Sequence, residues 1–115
     1  GADAIVVSNH GGRQLDGAPS SISALPEIAQ RLGKDCEIWM DGGVRSGQDV
    51  FKALALGARG VMIGRAFVYG LGALGGAGVT TALELIRREL DLTMVLCGVR
   101  TIAELDRRVL HQSDP

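Results

Sequence analysis

Three short stretches of this chain hold residue types that can do chemistry. The first is Ser8-Asn9-His10-Gly11-Gly12-Arg13-Gln14-Leu15-Asp16. An imidazole titrates near neutrality and suits proton abstraction from a substrate. Three residues further on, the Arg13 guanidinium has the planar fork that grips a carboxylate with two parallel hydrogen bonds. A base and a carboxylate clamp on one flexible loop describe a site for a small organic acid. Spacing alone leaves a second reading open, in which His10 caps or packs the loop and Arg13 is a surface charge.

The second and third stretches are Asp41-Gly42-Gly43-Val44-Arg45-Ser46-Gly47 and Gly64-Arg65. Glycines let the backbone approach an anion closely, and a helix beginning at Gly47 would offer free N–H groups and a positive dipole end. Arg45 and Arg65 can add charge-assisted hydrogen bonds to phosphate oxygens. Tight turns with two solvated arginines are the alternative, but two successive loops carry the same chemistry. Gln14 and Asp16 are read as support for Arg13 or as loop caps. Trp39 and Met40 are read as core, Cys36 and Cys97 as inert thiols, and His111 as solvated. The pairs Arg87-Arg88 and Arg107-Arg108 are read as exposed helix faces. No metal site is assigned.

The elements that must position these loops alternate. Residues 4–7 and 37–40 are short, continuous apolar runs of the kind found in buried parallel strands. A third strand is expected over 60–63. Ile22, Leu25, Ile28, Ala29 and Leu32 are spaced for an amphipathic helix ending near Gly33, with Pro26 in its first turn or at its start. Val50, Phe51, Leu54 and Ala55 carry a second helical stripe stopped by Gly57. A helical stretch over 66–74, a break at 75–78 and a long helix over 79–96 follow, the last with Leu83, Ile86, Leu90, Met94 and Val95 on one side. A final short helix is expected over 101–110, with Thr101 and Glu104 as its capping box. Such alternation means parallel βα units with right-handed crossovers. All three chemical loops then fall just past a strand's C-terminal end, where α/β folds place ligands. Three strands would leave both sheet edges open, so a larger barrel or an open α/β sheet is implied.

Composition narrows the class. Glycine is 17 of 115 residues, about twice the usual ~7%, and it clusters after the apolar runs rather than forming a linker. A formal charge of -1 gives no electrostatic footprint for nucleic acid. The basic residues are ten arginines and only two lysines, Lys34 and Lys52, a bias toward anionic ligands. No apolar run is judged to reach the roughly 18 residues of a membrane span. Two cysteines make no disulfide framework.

The run from Ser8 to Gly17, with that from Asp41 through Val50-Phe51-Lys52-Ala53-Leu54-Ala55-Leu56-Gly57-Ala58, closely resembles the FMN-dependent α-hydroxy acid oxidase and dehydrogenase family. The resemblance runs from residue 1 to about residue 110, leaving 111–115 as a polar tail. It implies an α/β fold, the C-terminal portion (about strands six to eight and their helices) of a (β/α)8 TIM barrel. It implies His10 as the active-site base, which takes a proton from the substrate's α-carbon or from its hydroxyl. Arg13 becomes the substrate-carboxylate ligand. Ser8 would hydrogen-bond the flavin, while Asp41, Gly42, Gly43, Val44, Arg45, Gly64 and Arg65 would hold the ribityl and phosphate part of FMN. The implied reaction oxidises a small L-2-hydroxy acid to the 2-oxo acid, with a quinone, a cytochrome or oxygen as final acceptor. The runs at residues 65–73 and 90–94 are most similar to lactate-oxidising members, so L-lactate is the expected substrate.

The expected partners are that acid, the missing N-terminal half of the barrel and, when complete, further copies in a homo-oligomer. The expected location is cytoplasmic or peripheral on the inner face of the membrane. A phosphate-binding barrel of the nucleotide-dehydrogenase type is the enzyme alternative, set aside on the His-Gly-Gly-Arg-Gln-Leu-Asp stretch. A non-catalytic barrel fragment is the alternative from another class, and the isolated 115-residue chain is expected to be inactive.

Overall fold

The computed structural model describes residues 1–111. Ala4–Val7 (β1), Glu37–Met40 (β2) and Gly60–Val61 (β3) form one parallel sheet in the order β1-β2-β3. Ser21–Leu32 (α1) and Gly47–Ala55 (α2) are the crossovers between them. Register pairs Val7 with Met40, and both are buried with Ile38, Leu25, Val50 and Ala53 in the main core beneath the helices. Val6 and Trp39, the intervening pair, face the other side, where Val6 is 47% exposed.

β3 is shorter than the strand expected over 60–63. Its ladder runs from the Arg59 N–H, which donates to the Ile38 carbonyl, to the Met62 N–H, which donates to the Met40 carbonyl. β2 ends at Met40, so nothing remains for Ile63 to pair with. α1 begins at Ser21, capped by Ser20, whose Oγ accepts from the Ser23 N–H at 3.3 Å. Pro26 therefore lies inside the helix, not in its first turn, and its missing N–H leaves the Ile22 carbonyl without its helical bond. The fully buried Leu25 anchors the helix across that gap.

Arg65–Leu96 (α3) is a bent element. Leu74 (φ -138°, ψ 17°) and Gly75 (φ 61°, ψ -143°) leave helical geometry, separating legs at 65–73 and 76–96. The break is narrower than expected, because Gly75 alone supplies the left-handed turn. The legs cross at Gly70 and Gly78, where a Cβ on Gly78 would overlap the Gly70 backbone. By length and composition α3 is apolar enough to cross a membrane, the mean hydropathy of its most apolar 18 residues being 1.4, which corrects the expectation that no such stretch exists. The uncharged residues 66–83 straddle the bend, so they do not form one straight rod. Along the second leg Ile86, Leu90 and Met94 pack inward, whereas Leu83 and Val95 are exposed.

The helix expected over 101–110 is instead two 3-10 turns, Ile102–Glu104 and Arg107–Val109, separated by extended Leu105 and Asp106. The Thr101 side chain makes no capping bond; Glu104 Oε2 accepts from the Arg100 N–H at 3.1 Å instead. Packing fixes this segment, since Leu105, Val109 and Leu110 cover a second cluster of Phe51, Met94 and Val99. Of the tail expected over 111–115, only the exposed His111 lies within the described residues.

Candidate active site

The C-terminal ends of the three strands open onto one cleft of about 530 Å³. His10, Gly11 and Arg13 line it from the loop after β1, Asp41 to Arg45 from the loop after β2, and Met62 to Ala66 from the end of β3 and the start of α3. Of the residues that the resemblance assigns to substrate or flavin, all line this cleft except Ser8. Ser8 lines a neighbouring hollow that shares His10, and its Oγ accepts from the His10 N–H at 3.1 Å.

His10 has φ 56°, the left-handed region that L side chains rarely adopt, and among the described residues it is the one non-glycine there. Gly11 and Gly12 continue the same conformation, at φ 65° and 70°. The turn is closed by the Gly12 N–H donating to the Asn9 carbonyl at 3.0 Å and the Arg13 N–H donating to the His10 carbonyl at 3.3 Å. Its base is tied to α1, because the Asn9 N–H donates to Ser21 Oγ at 3.3 Å. The result is an exposed imidazole and guanidinium presented from the same side of a tight, cross-linked loop. Asp16 serves as a loop cap, its Oδ1 accepting from the Gly17 N–H at 3.1 Å.

The loop after β2 starts from the Asp41 N–H, which donates to the Val7 carbonyl at 3.1 Å. Asp41 Oδ1 is buried and has no hydrogen-bond partner, which is costly unless a donor arrives. Gly42 and Gly43 are both left-handed, at φ 88° and 79°, and turn the chain around the cleft floor. The Val44 side chain is buried in the core, so Val44 offers a ligand only its backbone. Among the described residues Arg13, Arg45, Arg65 and Arg107 form no ion pair, whereas Arg31, Arg59, Arg87, Arg88, Arg100 and Arg108 all do. Three of these four free guanidiniums line the cleft, which gives it an anion-attracting field.

One expectation is corrected. At the start of α2 the Gly47 N–H is taken by Glu89 and the Asp49 N–H by Ser46 Oγ, which leaves only the Gln48 N–H of the first turn without a partner, while Asp49 takes the Arg45 and Ser46 N–H groups just before it. The start of α3 is different: its cap is Gly64, which has no side chain to bond the first-turn N–H groups. Asp49 is readable as the third helical residue after a Ser cap; Glu89 carries no such signal. The apolar wall of Met62, Ile63 and Val68 was also not anticipated. A larger hollow, about 820 Å³, lies at the opposite ends of the strands, but its Glu37 and Arg59 face each other at 3.8 Å.

The profile of FMN-dependent dehydrogenases matches residues 1–112. The chain is 57% identical over 114 residues to an L-lactate dehydrogenase of Caulobacter sp. (strain K31), covering 99% of this chain and 30% of that protein. It is 54% identical over 110 residues to an L-lactate dehydrogenase of Acinetobacter baylyi, covering 96% of this chain and 29% of that protein. Among solved structures, flavocytochrome b2 with pyruvate bound superposes with a TM-score of 0.91 at 45% identity, over 96% of this chain and 29% of that one. A mandelate oxidase with a monooxide FMN adduct superposes with a TM-score of 0.89 at 48% identity, over 93% of this chain and 34% of that one. The chain therefore spans about a third of the length of the proteins it matches. On sequence and on superposed backbone alike, it belongs to the FMN-dependent dehydrogenase family.

Proposed function

We propose that this chain supplies strands six to eight of a (β/α)8 barrel whose complete form oxidises a small L-2-hydroxy acid, L-lactate before others, to the 2-oxo acid. The observation that carries this is the single cleft, in which a base-and-clamp loop meets two anion-binding loops. The residues present fit FMN. The orphaned Asp41 Oδ1 suits a ribityl hydroxyl as donor. The Gly42–Gly43 turn, the uncapped first turn of α3 and the Arg65 guanidinium suit a phosphate. Arg45 adds positive charge beside them.

Bound FMN supplies the acceptor for the two electrons that leave the substrate. Arg13 grips the substrate carboxylate in a forked pair of hydrogen bonds, which fixes the α-carbon relative to the loop. His10 takes the proton, and its left-handed backbone aims the ring into the cleft. Met62, Ile63 and Val68 give the cleft an apolar wall, where charge-assisted bonds strengthen as water leaves. Ser8 is assigned to the flavin edge on resemblance, although its Oγ also steadies the His10 N–H.

A visible spectrum of the complete barrel, followed by anaerobic addition of L-lactate, glycolate and mandelate, tests this reading. Yellow flavin bleached by L-lactate is the expected result; flavin that none of the three bleaches overturns it.

A second reading concerns the 115-residue polypeptide by itself. β1 and β3 are both sheet edges, and Val6 and Met62 are exposed on or beside them. Open edges with apolar neighbours favour a polypeptide that is inactive until the rest of the barrel docks. Gel filtration of a stable, flavin-loaded monomer would sink that reading.

A further inference from the structure

The start of α2 is closed from within the chain. Ser46 caps it, its Oγ accepting from the Asp49 N–H at 3.2 Å. Asp49 Oδ2 accepts in turn from the Arg45 N–H, the Ser46 N–H and the Ser46 hydroxyl, each at 3.0 Å. Glu89, on the second leg of α3, reaches across and accepts from the Gly47 N–H through Oε2 at 2.8 Å. Gly47 is buried, and a Cβ there would overlap the Leu90 backbone, so α3 lies directly on this helix start. Two carboxylates thus stand where an external anion would have to sit, and the space beside them is filled. A phosphate brought there would lose both the donors and the favourable field.

We infer that Glu89, together with Asp49, is a positioning residue for the phosphate loop: the pair sets two negative charges against outside anions at the α2 terminus and pins the Arg45–Gly47 backbone, on which the glycine turn ends. Phosphate is thereby directed to the glycine turn and to the uncapped start of α3. The inference rests on the flavin reading above. Neither carboxylate touches the ligand. Glu89 acts through the Gly47 amide, and Asp49 acts through the amides of Arg45 and Ser46.

The test uses the phosphate itself as the probe. Affinity for FMN and for riboflavin, which lacks the phosphate, is measured by fluorescence titration of the complete barrel and of its Glu89→Ala and Glu89→Gln variants. Loss of one charge-assisted bond that holds a loop corresponds to about a tenfold weakening of FMN binding in Glu89→Ala. Riboflavin affinity stays unchanged, and Glu89→Gln, which keeps an acceptor oxygen, restores most of the FMN affinity. Equal weakening of both ligands would mean a general packing role and overturns the inference. Unchanged affinity for both overturns it as well. If the unsubstituted polypeptide binds neither flavin, the flavin reading itself fails and takes this one with it. Hydrogen exchange at the Gly47 amide gives a ligand-free check: it accelerates in Glu89→Ala, and an unchanged rate contradicts the proposed contact.

Discussion

Gly11 and Arg65 are neighbours: a Cβ built on Gly11 would lie 3.5 Å from Arg65 Nη2. The loop proposed to carry the base and the helix start proposed to carry the phosphate therefore meet at a glycine. Space alone would admit a methyl group, but Gly11 has φ 65°, where an L side chain costs about 1–2 kcal/mol. Gly11→Ala is expected to lower stability by about that amount and to slow flavin bleaching by substrate. Urea unfolding and stopped-flow absorbance check the two effects separately.

His10 is the second prediction. His10→Gln should keep flavin bound and slow its reduction by the hydroxy acid by roughly a thousandfold, within the range lost with a general base. His10→Asn should be equally inactive yet better folded than His10→Gln, because asparagine tolerates the left-handed backbone. Near-normal turnover in either variant would remove His10 from its role.

Arg13 and Arg65 face the same cleft and separate by ligand. Arg13→Lys loses the fork and keeps the charge, so substrate KM should rise by about tenfold while FMN affinity holds. Arg65→Ala should weaken FMN by about tenfold and leave riboflavin unaffected. A titration of each variant with both flavins, followed by steady-state kinetics, distinguishes the two roles.

Asp106 gives a prediction in pH. Its hydrogen bonds to Arg108, at 2.8 Å from Nε to Oδ2, hold the carboxyl below its ordinary value, and Arg108 is raised correspondingly. A carboxyl lowered in the folded state stabilises above its unfolded value and loses that contribution as pH falls through the folded one. Both side chains are exposed, so the effect on stability is small. An NMR titration should show the Asp106 midpoint below that of Asp106 in an Arg108→Ala variant.

Much of this fold was legible in the residues because burial writes itself locally. The strands at 4–7 and 37–40 and the helices after them follow directly from apolar runs and three-to-four spacing. What escaped depends on contacts made elsewhere. β3 stops where β2 stops, a fact held by Met40 and not by Ile63. The C-terminal segment matches a helical pattern, yet Asp106 bonds the Arg108 amide and Leu105 turns down onto the Phe51 cluster. Likewise the glycine turns after the strands were visible in the residues, but the filling of the α2 terminus was not, because Glu89 is 42 residues from Gly47.

That separation has a consequence for how the molecule assembles. The Asp49 bonds to Arg45 and Ser46 close over four and three residues and can form as soon as that stretch exists. The Glu89 bond must wait until a loop of 42 residues has closed and α3 has docked, with the entropy that closure costs. On a ribosome, the segment bearing the phosphate loop would leave the exit tunnel well before the residue that completes it. The loop is therefore expected to reach its finished shape only once α3 has docked, after the contacts within residues 45–49 have formed.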